Sequence, residues 1–377
     1  MDATQTTDVV IVGGGVIGSA LAYFLRKADV EVTVLERAEI ASEASSAAAG
    51  LLSPLGALTA ANPFTDLVMA SRALLLDLLP ELEEVSGERT EYHRRGSLRT
   101  ASGAQQVVIL QRQHAFWESL GWQVSWLTGA EARQREPLLA STIEAVVYAP
   151  QEGSMLPAGV TRAYAGAARR LGARFIEQAN VVGLERIGTR VSGARLATGE
   201  IIGCASLVIA AGAWSASLGQ GLGLTIPVRP TRGQILALAQ LAEPLRHILF
   251  GEDVYLVPKP DGTIFVGATV EQVGFNKQLT AAGIAWLLTS AFKLVPTLAD
   301  AAIVRMWAGL RPGSPDERPL LGHAPGWENV ILATGHGGMG FETSAITGQA
   351  IAELLVTGQV PALIRPFRPE RFTDPGL

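Results

Sequence analysis

Val9-Val10-Ile11-Val12-Gly13-Gly14-Gly15-Val16-Ile17-Gly18 reads as a strand, a tight turn and the start of a helix, in that order. Four consecutive β-branched residues predict a strand covered on both faces of a parallel sheet. Ser19–Lys27 continues as a helix, and Glu31–Leu35 is a second β-branched strand that ends at Glu36 and Arg37. Together these make a complete βαβ unit. Gly13 allows the sharp turn, Gly15 lets the backbone approach a pyrophosphate, and Gly18 brings helix and sheet close. The N–H groups at Val16 and Ile17 open the helix and offer the phosphates unpaired donors and partial positive charge. Glu36 stands where a carboxylate takes a ribose hydroxyl pair, which favours FAD or NAD over NADP.

Composition removes other classes. Thirty basic against 35 acidic residues give −5 with no basic block, so no nucleic acid is expected as a partner. A single cysteine, Cys204, excludes an internal disulfide framework and a multi-cysteine metal site, and no metal is expected. Cys204 precedes a strand and reads as a structural thiol, so the cofactor link is expected to be non-covalent. Met1–Asp8 carries two acids and no base, unlike a secretory leader. The apolar stretch Val9–Leu25 is interrupted by glycines, and Ala73–Leu79 ends at Pro80, so no membrane association and a cytoplasmic location are expected.

The remainder of the chain chooses between the two cofactors. A nicotinamide enzyme would continue with more βαβ repeats. Here Ser45-Ser46-Ala47-Ala48-Ala49-Gly50-Leu51-Leu52 follows instead, small residues that let a loop pass close to a flat ligand. Ser206–Ile209 forms a strand leading to Gly212 and Trp214. Asn329–Ala333 forms another, entering Thr334-Gly335-His336-Gly337-Gly338-Met339-Gly340 and then a helix to about Leu355. That second glycine turn has no following strand with an acid at its tip, which argues against a second dinucleotide. It reads better as a turn aiming a helix start at part of the first cofactor, where negative charge develops on reduction.

These segments, with Trp307-Ala308-Gly309-Leu310-Arg311-Pro312-Gly313, resemble in order and across the whole chain the glycine oxidase group of the D-amino-acid oxidase-like FAD amine oxidases. The resemblance implies an α/β, α+β overall architecture: a Rossmann-like FAD-binding domain with a discontinuous antiparallel-sheet substrate domain. The FAD domain is expected at 1–85, 150–228 and 306–377, and the substrate domain at 86–149 and 229–305. Val254–Val257 and Thr263–Ala268 flank a hairpin loop, and Val181 is expected near the adenine. The implied activity is oxidative deamination of a small amino acid (glycine, a D-amino acid or an N-alkyl glycine), with dioxygen as acceptor and hydrogen peroxide, an imino or oxo acid and ammonia or an amine as products. A homo-oligomer is expected.

Arg311 matches the family's substrate arginine, whose fork suits a carboxylate. Tyr255 matches a tyrosine that helps it, and Met339 is placed to line the substrate face. No side chain is assigned as a catalytic base; His336, in the glycine turn, is expected to offer only its backbone. Two alternatives stay open, a dehydrogenase passing electrons to a quinone or protein carrier, and a non-catalytic FAD-binding subunit. One departure is visible. The family's last loop reads His-aromatic-Arg-Asn-Gly, and its arginine position is Gly338 here. A roomier, less polar pocket is the expected consequence.

Overall fold

A computed structural model describes residues 5–239 and 241–372; the first four and last five residues of the expected FAD-domain ranges lie outside the described residues. The first strand, Gln5–Val12, pairs in parallel with Val32–Leu35 on one side and Ile201–Ile209 on the other. Arg174–Ile176 extends one edge, Val330–Thr334 and Leu320–His323 the other. Alternation then sends the central strand's side chains to different layers. Val9 and Ile11 join the cluster built by helices Val16–Lys27, Pro63–Ser86, Pro157–Arg170 and Gly340–Thr357. Val10 and Val12 pack on the opposite side with Leu207, Ile209, Leu222 and Ile226. The chain order reverses between Gln5–Val12 and Ile201–Ile209, and such a switch opens a crevice at the strands' carboxyl ends.

The turn glycines are sterically obligatory. Gly13 has φ +116°, and a Cβ there would lie 2.4 Å from the Ala210 carbonyl oxygen. A Cβ on Gly18 would lie 2.0 Å from the Gly13 carbonyl oxygen. Helix Val16–Lys27 can sit on this sheet only because neither atom exists.

The second sheet has eight strands, in the order Ile303–Gly313, Arg229–Ala239, Thr263–Gly267, Tyr255–Pro258, Ile248–Phe250, Ser97–Ala101, Ala145–Ala149 and Ser125–Thr128. It departs from the expectation in two respects. Ile248–Phe250 runs parallel to Ser97–Ala101, so the sheet is mixed where the two substrate segments meet. The expected division at 305/306 falls inside Ile303–Gly313, which is hydrogen-bonded along its length to Arg229–Ala239 and thus belongs to this sheet through Gly313. Pro80 does not end its helix, which runs from Pro63 to Ser86. Burial of Leu75, Leu78, Leu79 and Leu82 outweighs the one backbone bond a proline removes. Among the described residues no helix is long and apolar enough to cross a membrane.

Candidate active site

A cavity of about 500 Å³ fills the crevice. Gly13, Gly15, Val16, Ile17, Glu36, Arg37, Ser45, Val181, Gly212, Trp214, His336, Gly337, Gly338 and Gly340, all expected to touch the cofactor, line it. The Ser45 hydroxyl accepts from the Val16 N–H at 3.0 Å and so marks the helix start. Glu36 is buried, its carboxylate accepting from Gly14 N–H at 2.7 Å and Ala38 N–H at 3.0 Å. Two helix starts, at Val16 and Gly340, open onto the same space. Sequence reasoning missed Ala179, Asn180, Ser217 and Leu218, which also line it. They carry no motif; Ala179 is brought there by its N–H bond to the Glu36 carbonyl, at 2.8 Å.

The remaining expected residues lie off this cavity. Ser46 is exposed, its hydroxyl bonded back to the Glu43 carbonyl. Ala49 and Leu51 turn toward the second sheet, into a cluster with Ile235, Phe250, Tyr255 and Trp307. Gly50, at φ +73°, passes so close to the neighbouring chain that a Cβ would lie 2.1 Å from the Met155 carbonyl. A Cβ on Gly309 would meet that of Ala47 at 2.6 Å, and the Trp307 indole donates to the Ala47 carbonyl at 2.9 Å. Gly309 sets how closely the 44–51 segment meets the second sheet, and Gly50 how closely it meets the stretch at Met155 and Pro157. Met339 packs against the main core beside its helix.

Arg311 and Tyr255 come together on the second sheet. Arg311 donates to the Thr269 carbonyl at 3.0 Å, and its guanidinium stands beside the Tyr255 hydroxyl. Burial raises the Tyr255 hydroxyl above its ordinary pKa, with the Arg311 charge pulling the other way. Three glycines frame the pair. A Cβ on Gly233 would lie 2.6 Å from the Arg311 guanidinium, and one on Gly267 would lie 2.5 Å from the Tyr255 hydroxyl oxygen. Gly338 is looser: its Cβ would stand 3.8 Å from Arg311 Cδ, an ordinary contact. The sequence offered no signal for Gly233 and Gly267, which look like weak points in strands until their neighbours are known. Pro312 then accepts from the Gly337 N–H at 2.8 Å, so the guanidinium sits one residue from the cofactor-side turn.

His336 is buried, its Nε2 paired with the Thr347 hydroxyl at 3.2 Å, and burial pulls the imidazole down to about 3. It stays neutral at physiological pH, with its Nε2 engaged by Thr347. At the other end, Arg37 stacks 3.6 Å from the Trp214 ring centroid and pairs with Glu43 at 2.6 Å. Phe275 and Lys277, from the loop after strand Thr263–Gly267, reach across to Trp214 and Glu43.

The donor set fits FAD. The cavity is lined by a glycine turn in which Gly13 has no room for a Cβ, by the buried Glu36 carboxylate, and by a second helix start. Glycine turn and helix start would hold the pyrophosphate, Glu36 the ribose, and the 336–340 turn the edge where charge accumulates. Comparison with known proteins agrees. The family model described as DAO, FAD dependent oxidoreductase, matches residues 8–354. Glycine oxidase of Geobacillus kaustophilus is 34% identical over 367 residues, spanning 97% of each chain. The hydrogen cyanide synthase subunit HcnC of Pseudomonas aeruginosa is 33% identical over 404 residues, covering 98% of this chain and 97% of the relative. The crystal structure of the Geobacillus kaustophilus glycine oxidase superposes with a TM-score of 0.91, covering 98% of this chain and 99% of that one. With the fold, the cavity and the matched length in agreement, the chain belongs to the DAO family of FAD-dependent oxidoreductases.

Proposed function

We propose that this FAD-dependent oxidoreductase oxidises a small amino acid larger than glycine, a D-amino acid or an N-alkyl glycine, with dioxygen as acceptor. The observation that carries the reading is the Arg311–Tyr255 pair beside an unfilled Gly338. One guanidinium nitrogen is committed to Thr269, and the remaining N–H groups together with the Tyr255 O–H suit a carboxylate. Bound FAD supplies the hydride acceptor. The protein fixes the substrate carboxylate, and hence the α-carbon, from the second sheet, while Ala49, Leu51, Phe250 and Trp307 keep that side apolar. No side-chain base is assigned: His336 is neutral and turned to Thr347, so the substrate amine reacts in its neutral form. Loss of a hydride and a proton yields the imino acid, and water converts it to an oxo acid and ammonia or an amine. Dioxygen takes up the two electrons and two protons as hydrogen peroxide. The domain reading that goes with this assigns cofactor binding to the first sheet and substrate binding to the second.

Anaerobic mixing with glycine, D-alanine, D-proline, sarcosine and their L-counterparts, followed by flavin absorbance, tests the substrate class. Fast bleaching by glycine with none by the larger compounds would overturn the size argument. Gly338→Arg places a second guanidinium beside Arg311 and is expected to lower kcat/KM for the larger substrates at least tenfold, about 1.4 kcal/mol of lost fit. Glycine turnover should change much less. A second reading, transfer to another electron carrier inside a complex, draws support from the HcnC relative, whose name marks it as a subunit. Peroxide yield measured beside dye reduction separates the two.

A further inference from the structure

Glu342 lies in the first turn of helix Gly340–Thr357, directly after two residues of the cavity wall, and its side chain is buried. A glutamate there ordinarily gains as an anion from the positive end of the helix. Its surroundings work against that. Four groups face it: Glu152 from the turn after Ala145–Ala149, Arg99 from Ser97–Ala101, Arg72 from Pro63–Ser86, and Tyr92 from the segment after that helix. Arg99 is committed to Glu152 at 2.9 Å and to the Ser53 carbonyl at 3.2 Å, and Arg72 donates to the Gln151 carbonyl. Neither guanidinium is hydrogen-bonded to Glu342. Its Oε1 accepts from the Ser53 N–H at 2.5 Å, and its Oε2 has no hydrogen-bond partner among the described residues. An anion held this way is a buried charge without a paired cation, whereas a carboxylic acid in the same place is not.

We propose that Glu342 is a positioning residue of the flavin site, a neutral acid that ties the start of helix Gly340–Thr357 to the Ser53 backbone and keeps that helix end positive toward the cofactor. The segment it holds is clamped from further sides. Glu152 accepts from the Leu55 N–H at 3.1 Å and from the Ser97 hydroxyl, and Arg99 holds the Ser53 carbonyl. Leu51, two residues before Ser53, packs in the cluster that contains Tyr255, so the clamp links cofactor and substrate walls. Burial, reinforced by Glu152, pushes the Glu342 carboxyl up to about 8, against the Ser53 bond and the two arginines. Deprotonation above that pH puts negative charge where the site must accept electrons, so reduction then draws an extra proton onto Glu342. The inference rests on FAD occupying the cavity and is independent of which amino acid is oxidised.

Two variants of the holoenzyme test it. Glu342→Gln keeps an acceptor for Ser53 and cannot ionise; Glu342→Leu keeps bulk and loses both. The measurement is the flavin midpoint potential between about pH 6 and 10, read with redox dyes, beside FAD affinity. The wild-type potential is expected to fall more steeply with pH above about 8 than below it. The Gln variant should match the wild type at pH 7 and follow a single slope. The Leu variant should bind FAD roughly tenfold more weakly, because the Ser53 N–H loses its partner. A Gln variant displaced from the wild type at pH 7, or one that keeps the break near 8, overturns the neutral acid. A Leu variant with unchanged FAD affinity overturns the tie.

Discussion

Replacing Arg311 with methionine is expected to lower kcat/KM for amino-acid substrates at least about thirtyfold while the protein stays yellow. The two halves of that outcome have separate origins. The guanidinium lies off the cofactor cavity, bonded to Thr269 and beside Tyr255, so the glycine turn, Glu36 and both helix starts are left untouched. A substrate carboxylate, in contrast, loses its charged partner and leaves Tyr255 as sole anchor. Truncating one side of a buried charge-assisted pair costs about 2–5 kcal/mol, or roughly 30-fold to several thousandfold. Methionine fills much of the space, which keeps the neighbouring strands in place. The loss should appear mainly in substrates that carry a carboxylate; a simple amine of similar size should be nearly indifferent. Steady-state kinetics on an acid and amine pair, with FAD content from absorbance, check it. Equal losses for both would mean that Arg311 shapes the protein and does not hold substrate.

The second large effect belongs to Gly18. Gly18→Ala would place Cβ 2.0 Å from the Gly13 carbonyl oxygen, with the Ile11 side chain at 3.3 Å. The atom in the way is backbone in a turn that itself cannot shift, because Gly13 at φ +116° already rests against Ala210. The helix must lift off the sheet, and the N–H groups meant for the pyrophosphate move with it. Overpacking of this kind costs typically 1–3 kcal/mol and more where nothing yields. The variant is expected to be isolated largely without FAD and with a markedly lowered Tm. Gly87→Ala supplies the control. Unlike Gly18, which is helical, Gly87 sits at a positive φ, +77°, and its Cβ would meet nothing within 4 Å, so only the left-handed backbone costs, about 1–2 kcal/mol, with FAD retained. Thermal unfolding and FAD content of the two variants should separate clearly; indistinguishable variants would mean that the turn tolerates a side chain.

What could be read from the chain follows contiguity. The first βαβ unit is legible because strand, turn, helix and acid are adjacent, each constraining the next. The Gly335–Gly340 turn is legible for the same reason, and so is its lack of a following strand. Arg311 and Tyr255 could be singled out only by likeness, since nothing local distinguishes a functional strand tyrosine from a packed one. Gly233 and Gly267 escaped because the groups that need their missing Cβ atoms are distant in sequence. Glu342, Glu152 and Arg99 escaped more completely, being three charged residues on separate segments whose meaning exists only when burial brings them together. Pro80 shows the complementary limit: a local signal for stopping a helix gave way to burial along one face.

Strand Ile303–Gly313 acts as a shared rail. It is hydrogen-bonded into the second sheet, yet it meets the loop at Ala47 through Trp307 and the cofactor-side turn through Pro312. The proposed substrate anchor and the proposed cofactor cradle are therefore mounted on one continuous piece of backbone. Swinging the two sheets apart like a clamshell would tear that mounting, so the spacing between anchor and cradle survives every opening event.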